Sequence, residues 1–373
     1  MRRKSSCRGC RGTWPWSALR EQRWGPCGGS AALGRTCSTR RNFFQRLRSG
    51  LGVPVFEWLY VLVNTDDGVL SWWAYDPLAL TWRRLPPMPA GVEFQLTTPG
   101  CTVLGRFHPV QCVSTPGKLV VVAGSRADDG AGGTGKVQLR PALERPLVFE
   151  AAERRWSSGA PFRVPRKWCI CGRVDERAIY VASGCGTEWD VTVSKSAEIY
   201  DVEAVAWGAA ARLGSSKFSG EAIAAVNVGG RLHMVSGKGV MMKEGAVYEP
   251  TSGTWSKMSA ALQNGWTGPC VGAGGRFYVL EESSGRLRAY DPEQDSWAAV
   301  VESERLRGIS QLVASRGKIC GIVEGGEKRI VVVDVAAVEP RIFEVKTPMG
   351  HPIAIQVLSR MGPEPGRDES TTE

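Results

Sequence analysis

The sequence predicts an all-β protein, a six-bladed β-propeller closed by its C-terminal strand, and two observations carry this prediction. First, an aromatic residue followed by an acidic residue precedes a tryptophan by seven residues in five places. Second, a short apolar run, often ending in small residues, precedes each of these units. A unit that recurs about every 40 to 50 residues is typical of propellers, whose blades are four-stranded sheets.

Each repeated unit is interpreted as the outer hairpin of one blade. The aromatic residue ends one strand, the acidic residue opens the turn, and the tryptophan begins the antiparallel return strand. The five units are Tyr75-Asp76 with Trp82, Phe149-Glu150 with Trp156, Tyr200-Asp201 with Trp207, Tyr248-Glu249 with Trp255, and Tyr290-Asp291 with Trp297. A weaker sixth copy is Val333-Asp334, for which Phe343 is expected to replace the tryptophan. A tryptophan that recurs once per blade indicates a core position rather than a cofactor site.

The strands before these units follow in order along the chain, at 58–63, 119–124, 179–184, 232–237, 277–280 and 319–323. Blade two is longer because it carries a glycine-rich insertion at 127–136. Blade one begins at its second strand, whereas an apolar stretch precedes that strand in the other blades. One strand, 352–358, is left over at the end of the chain. We expect it to pair into blade one and close the ring, since closure removes open sheet edges.

The positive charge of the chain is concentrated at its start. Of 47 Lys+Arg and 37 Asp+Glu, twelve basic residues and one acidic residue lie in residues 1–50. The other 323 residues therefore carry 35 basic and 36 acidic side chains. A nucleic-acid partner is not expected, because such a binder carries its positive charge on the folded surface. No apolar run approaches the roughly 20 residues of a membrane-spanning helix, so no membrane partner is expected either.

These patterns divide the chain into a basic, disordered leader at 1–41, a propeller at 42–360 and a polar tail at 361–373. The composition of the leader fits a disordered tail, an organelle transit peptide, or residues from a wrongly predicted first exon. The eleven cysteines are odd in number and mostly scattered, which indicates free thiols in a reducing compartment. We therefore expect the cytoplasm and/or nucleus, and the leader leaves an organelle as the alternative.

The repeated units resemble kelch repeats. The usual di-glycine is reduced to Ala123-Gly124, Ser183-Gly184 and Ser236-Gly237, which is typical of a diverged branch. Residues 42–360 are similar to plant F-box/kelch-repeat proteins of the Skp-interacting-partner type. The stretches that carry this resemblance are 58–62, 73–77, 82–88, 165–169, 180–184, 218–223, 265–269 and 302–306.

The resemblance implies a function in protein recognition. In that family an N-terminal F-box docks on the Skp adaptor of an SCF-type E3 ubiquitin ligase, and the kelch propeller holds the substrate. We therefore expect a substrate-recognition module with a protein substrate, and with a Skp-type adaptor and cullin ligase as partners if an F-box is functional. An F-box opens with Leu-Pro and continues in amphipathic helices, a pattern that residues 1–41 do not show, so it is expected to be missing or degenerate. The alternative is a kelch-repeat interaction scaffold that recruits no ligase.

The sequence shows no catalytic constellation. The histidines His108, His233 and His351 are dispersed and do not form a metal-ligand pattern. The glycine-rich stretch 132–135 lacks the lysine and the strand–loop–helix setting of a phosphate-binding loop. We predict that the protein is not an enzyme and uses no cofactor or metal.

The predicted partner-binding face carries the loops between second and third strands and the connections between blades, because both emerge on one side of a propeller. Arginine and tryptophan are enriched at interface hot spots. The predicted site residues are Arg166, Lys167, Trp168, Trp189, Lys217, Asn264, Trp266, Arg305 and Arg307. In the alternative interpretation, Trp168 and Trp266 begin inner strands and fill the ring, and the basic residues are ordinary solvated charges. The basic character of this set favours a partner with an acidic or phosphorylated segment.

Overall fold

The structure is a computed structural model that describes residues 55–65, 67–90, 92–93, 110–123, 125–126, 142–184, 186, 191–194, 196–211, 222–236, 244–323 and 328–361. The predicted leader at 1–41, the insertion at 127–136 and the tail from residue 362 lie outside these ranges. Residues 1–54 and 55–373 are two separate units, and the architecture below concerns the second.

Six four-stranded antiparallel sheets confirm the predicted six-bladed propeller. The strands of the first half are β1 (Val55–Asn64), β2 (Leu70–Asp76), β3 (Thr81–Arg84), β4 (Val92–Glu93), β5 (Gln111–Thr115), β6 (Lys118–Ala123), β7 (Ser125–Arg126), β8 (Leu147–Glu150), β9 (Arg155–Ser158), β10 (Ile170–Arg173), β11 (Ala178–Ala182), β12 (Ala197–Asp201) and β13 (Ala206–Ala209). Short strands β4 and β7 pair with each other in a separate two-stranded ribbon.

The second half of the chain forms the remaining blades and the closing strand. Its strands are β14 (Ala222–Val228), β15 (Arg231–Ser236), β16 (Glu244–Glu249), β17 (Thr254–Lys257), β18 (Cys270–Ala273), β19 (Arg276–Glu281), β20 (Arg286–Asp291), β21 (Ser296–Glu302), β22 (Ile309–Ser315), β23 (Lys318–Val323), β24 (Arg329–Asp334), β25 (Arg341–Lys346) and β26 (His351–Met361). The helices are short, namely α1 (Val191–Ser194), α2 (Ala260–Gly265) and a 3-10 helix at Glu304–Leu306. No helix within the described ranges is both long and apolar enough to cross a membrane.

From the centre outward, the blades are ordered β26-β1-β2-β3, β5-β6-β8-β9, β10-β11-β12-β13, β14-β15-β16-β17, β18-β19-β20-β21 and β22-β23-β24-β25. The innermost strands of neighbouring blades contact one another around a complete ring. Apolar clusters fill the spaces between blades, where the second and third strands supply most of the fully buried side chains. The core is therefore a set of six layers between sheets.

The C-terminal strand closes the ring, as predicted. Strand β26 pairs antiparallel with β1 from Val55↔Met361 to Asn64↔His351. Side-chain amides fix β26 to the blades on both of its sides. Gln356 accepts a hydrogen bond from Ser114 N (3.0 Å) and donates one to Cys112 O (3.2 Å) on β5, while Gln311 on β22 donates to Ile353 O (2.8 Å). Blade one is thus completed by residues from both ends of the propeller.

The aromatic–tryptophan interval reflects a direct cross-strand pair. In five blades the tyrosine or phenylalanine is the register partner of the tryptophan. Their ring centroids lie 4.7 to 5.3 Å apart. The prediction for blade six was wrong, because Val333 pairs with Ile342 and Phe343 pairs with Val332. The turn there is two residues longer, so Ile342 takes the position of the tryptophan, and Phe343, one residue further along, lies on the opposite face of the strand, where it is half exposed.

Each of these tryptophans also ties its blade to the preceding one. The indole N–H donates to a backbone carbonyl at or just beyond the outer strand of the neighbouring blade. The pairs are Trp82 with Lys346 O (2.8 Å), Trp156 with Pro86 O (3.0 Å), Trp207 with Ala160 O (2.9 Å), Trp255 with Ala211 O (3.3 Å) and Trp297 with Ala261 O (2.9 Å). The repeat therefore specifies the contact between blades as well as the hairpin within a blade.

The acidic residue of the unit shapes the outer turn. Asp201 Oδ1, for example, accepts hydrogen bonds from Glu203 N (2.9 Å) and Ala204 N (2.8 Å). The residue four positions after the acid adopts a left-handed conformation in five blades, with φ between 46° and 64°. These residues are Leu80, Arg154, Val205, Gly253 and Asp295. Only blade four therefore has the residue type for which this conformation carries no steric cost.

Replacing valine by glycine at one of these turn positions, and glycine by valine at another, should change the free energy of unfolding in opposite directions. Val205 is β-branched and about half exposed, so Val205→Gly relieves backbone strain at little packing cost. We expect it to raise the free energy of unfolding by about 0.5–1 kcal/mol, and Gly253→Val to lower it by about 1–2 kcal/mol. Urea unfolding of both variants measures this. Shifts of the same sign in the two variants would contradict the strain argument.

Candidate binding face

The loops between second and third strands and the connections between blades lie on one side of the ring, which we call the connection face. The strand order and the antiparallel pairing in every blade place them there. Its described segments include the turn 282–285 and the connections 159–169, 258–269, 303–308 and 347–350. The predicted site residues within the described ranges all belong to these connections.

Arg166 is fully buried beneath this face. Its Nη1 donates to the carbonyl oxygens of Ser183 (3.2 Å) and Ser196 (3.1 Å), and its Nε donates to Val164 O (3.2 Å). Ser183 follows β11 and Ser196 precedes β12, so one guanidinium joins both ends of the loop of blade three to the connection that enters the blade. This arrangement makes Arg166 a structural support of the face.

Glu198 is the ionic partner of Arg166. Its Oε2 lies 3.8 Å from Arg166 Nη2, and both side chains are almost completely buried. Burial raises the pKa of the Glu198 carboxyl, and the nearby positive charge of Arg166 opposes that rise. Burial also lowers the pKa of Arg166. Each of the two buried charges is therefore compensated by the other, and removal of either one leaves an unpaired charge inside the fold.

The backbone around this pair is strained. Trp168 and Ser183 adopt left-handed conformations (φ 51° and 63°), as does Gly184 (φ 91°). A Cβ atom at Gly184 would overlap the carbonyl oxygen of Lys167. Lys167 is itself only 2% exposed, and its ammonium lies 5.2 Å from the centre of the partly buried Trp168 ring. Gly184, the glycine that remains of the kelch di-glycine in this blade, is thus required because two backbone segments approach each other closely.

Trp266 is part of the core, whereas Asn264 faces solvent. Helix α2 begins after Ser259, whose side chain accepts a hydrogen bond from Leu262 N (3.3 Å). Trp266 is 3% exposed and packs edge-on against Phe277, with ring centroids 5.0 Å apart. Asn264 is exposed on the helix. The helix therefore presents Asn264 to solvent, and Trp266, directly after the helix, packs into the interior.

Arg305 and Arg307 are exposed on the connection between blades five and six. Arg305 Nε lies 3.5 Å from Glu344 Oε1, and Arg307 Nη1 lies 2.7 Å from Glu304 Oε2. Both arginines carry more than half of their side-chain surface in solvent. They are accessible to a partner.

The structure thus separates the predicted residues into groups. Arg166, Lys167 and Trp266 are interior and support the face, while Asn264, Arg305 and Arg307 are at its surface and Trp168 is partly buried. Trp189 and Lys217 lie outside the described residues. Sequence reasoning did not find Arg286, Arg329 or Glu344, which extend the charged cluster at Arg305, although Arg329 is mostly buried. They lie in or at the ends of strands, where the sequence offers no signal that a neighbouring blade's connection passes beside them.

The described cysteines are free thiols. Cys112, Cys169, Cys171, Cys270 and Cys320 form no disulfide. Burial raises the pKa of Cys112 and of Cys320 to about 12, and it also raises the pKa of Cys171 well above its usual value. Such thiols remain protonated and poorly nucleophilic at neutral pH. Among the described residues, no group of three or more histidine, cysteine or carboxylate side chains is placed to hold a metal ion.

The chain matches no protein-family model. It is similar to F-box/kelch-repeat protein SKIP25 of Arabidopsis thaliana, with 34% identity over 339 residues, which cover 85% of this chain and 82% of that protein. F-box/kelch-repeat protein At1g22040 and F-box protein AFR of the same plant are each 25% identical, over 300 and 261 residues. Each of these two alignments covers 68% of this chain, and the chain spans 62% and 61% of their respective lengths.

Proposed function

The chain belongs to the F-box/kelch-repeat proteins, and on that premise we propose that it is the substrate-recognition module of an SCF-type E3 ubiquitin ligase. The observation that carries the proposal is the 34% identity to F-box/kelch-repeat protein SKIP25 over 82% of that protein's length. A closed kelch-type propeller in this family is a protein-interaction module. Its role in the proposed complex is binding rather than catalysis.

The connection face is the proposed surface for the protein substrate. Asn264, Arg305 and Arg307 are exposed there, and Trp168 is partly exposed. The buried pair of Arg166 and Glu198 supports the loop of blade three from within. Trp189 and Lys217 remain predicted contributors. A rigid scaffold that displays arginine and aromatic side chains suits recognition of a folded or extended partner.

A Skp-type adaptor and a cullin ligase are the proposed further partners, because the relatives are named F-box proteins. We assign the activity to the cytoplasm and/or nucleus, since the described cysteines are free thiols. A second candidate function is an interaction scaffold without ligase recruitment. The closure of the propeller within residues 55–361, by β26 on β1, favours that candidate, because such a ring can bind a partner without a further domain.

Co-purification with a plant Skp adaptor tests the proposal. The full chain is compared with a shortened chain that begins at Asn42 and keeps the whole propeller. We expect the full chain to be retained and the shortened chain to be lost, which would place the docking segment in residues 1–41. Retention of neither chain would support the scaffold function. Retention of both would contradict docking through the N-terminal residues.

A further inference from the structure

The junction between blades five and six is built differently from the other five. Ile342 is the register partner of Val333, so it occupies the position at which the other blades have tryptophan. Arg305 reaches across this junction instead, with its Nη1 3.5 Å from Ile342 O. The link between blades at this junction is thus made by a charged side chain of the connection, which bonds to the outer strand of the following blade.

The backbone that carries Arg305 and Arg307 is held firmly against blade five. Ser303 N donates to Gly285 O (3.1 Å) and Gly308 N donates to Glu282 O (3.2 Å), so both ends of the connection bond to the turn between β19 and β20. Leu306 anchors the 3-10 helix in the core at 1% exposure. A short, doubly fixed connection therefore presents the two arginines at defined positions, which lowers the entropic cost of binding.

Four arginines form a continuous group at this junction, which we call the arginine seam. Its members are Arg286, Arg305, Arg307 and Arg329. Glu344 connects two of them, because its Oε1 lies 3.5 Å from Arg305 Nε and 3.8 Å from Arg329 Nε. The aliphatic stem of Arg307 packs beside Gly285, which immediately precedes Arg286. The seam thus runs from the turn of blade five to the outer strands of blade six.

Positive charge exceeds negative charge along the seam. The four arginines contact three carboxylates, those of Glu302, Glu304 and Glu344. Lys346, the exposed register partner of Arg329, adds a fifth cation, and Glu281, the register partner of Arg286, adds a fourth carboxylate. Residues 51–373 as a whole carry 35 basic and 36 acidic side chains, so this local excess is a departure from a nearly neutral unit.

The guanidinium groups retain hydrogen-bonding capacity. Arg286 contacts Glu302 through Nε (2.7 Å), and Arg307 contacts Glu304 through Nη1 (2.7 Å). Each guanidinium has five N–H donors in a planar fork, and these contacts use one nitrogen of each group. About half of each side chain is exposed, so a ligand can approach these two guanidinium groups from solvent. Such donors suit a second carboxylate that arrives from outside.

From these observations we propose that the arginine seam binds an acidic segment, rich in Asp and Glu, of the protein substrate. This inference rests on the proposed function, in which the connection face receives the substrate. The arginines of the seam carry the charge opposite to that of an acidic segment, and the fixed backbone of the connection holds Arg305 and Arg307 in defined positions. Glu304, which is 76% exposed, is a carboxylate that such a segment would have to approach.

Fluorescence anisotropy with a labelled octaglutamate peptide and the full chain at low salt tests the seam. Octaglutamine is the uncharged comparison and should not bind. Arg307→Gln should weaken octaglutamate binding about three- to five-fold, and Glu304→Gln should tighten it by a similar factor, because each changes one exposed charge. Arg276→Gln is the matched control, since Arg276 is exposed on the opposite side of the same blade. It should leave the affinity unchanged.

Three results would overturn the proposal. One is equal weakening by Arg307→Gln and Arg276→Gln, since it would mean that binding follows net charge alone. A second is binding of a phosphoserine peptide without binding of octaglutamate, which would assign the seam to phosphate. The third is no binding of octaglutamate at all. Retention by the Skp adaptor should not respond to Arg307→Gln, so failure of the seam and failure of ligase recruitment are distinguishable.

Discussion

Arg166→Leu should lower the free energy of unfolding of the propeller by about 3–5 kcal/mol, the range for breaking a buried ion pair by removing one partner. The variant leaves the Glu198 carboxylate buried without its compensating charge. It also removes three hydrogen bonds to the carbonyls of Val164, Ser183 and Ser196, which fix the loop of blade three. Urea unfolding followed by tryptophan fluorescence measures the loss.

Arg173→Leu is the matched control for this prediction. Arg173 lies in the same blade but is exposed, so its replacement should change stability by less than about 0.5 kcal/mol. The double variant Arg166→Leu with Glu198→Leu should be less destabilised than Arg166→Leu alone, because no unpaired charge remains. A loss at Arg166 no greater than at Arg173 would refute the structural role.

The cost of Arg166→Leu should also depend on pH. Burial raises the pKa of Glu198 in the folded protein, and removal of Arg166 takes away a charge that opposes this rise. A carboxyl whose folded pKa lies above its unfolded pKa contributes stability below the unfolded pKa, and this is lost as pH rises through the folded value. The variant should therefore lose less stability near about pH 5 than near about pH 8.

The second large effect is expected at Gly184. Gly184→Ala places a Cβ atom into the carbonyl oxygen of Lys167 and imposes a left-handed conformation (φ 91°) on a residue with a side chain. The backbone strain and the overlap each cost about 1–3 kcal/mol, so we expect a combined loss of about 2–6 kcal/mol. Thermal and urea unfolding should both report it.

Gly230→Ala separates the two causes. Gly230 has a similar φ of 79°, but no atom lies within 4 Å of the position of a Cβ there. That variant should lose only about 1 kcal/mol, the cost of the conformation alone. If the two variants lost equal stability, the close approach to Lys167 would play no part.

The repeat in the sequence contained most of the information about the fold. An interval of seven residues between Tyr290 and Trp297 determines a hairpin register, so the pairing of the five aromatic units could be predicted. The same reasoning failed at Phe343, because the longer turn of blade six changes the register by two residues. Closure by β26 was predictable because a counting argument left one strand without a partner.

The candidate site was less accessible to prediction. Arginine in a connection is normally solvated, and the sequence does not show that the two ends of another loop surround Arg166 with carbonyl oxygens. The contact between Arg305 and Glu344 joins residues of two blades, and no local pattern encodes it. Register follows from local spacing, whereas contacts between blades depend on how the sheets pack.

Strand β26 has a consequence for the order of events when the protein is made. Blade one pairs Val55 with Met361, so its sheet joins residues that are 306 positions apart in the chain. During synthesis, one edge of β1 remains unpaired until β26, the last strand of the propeller, has left the ribosome. Contacts of such long sequence separation form slowly, and an open edge can pair with another chain in the meantime. The final residues of the propeller therefore determine how long the nascent chain is exposed to aggregation.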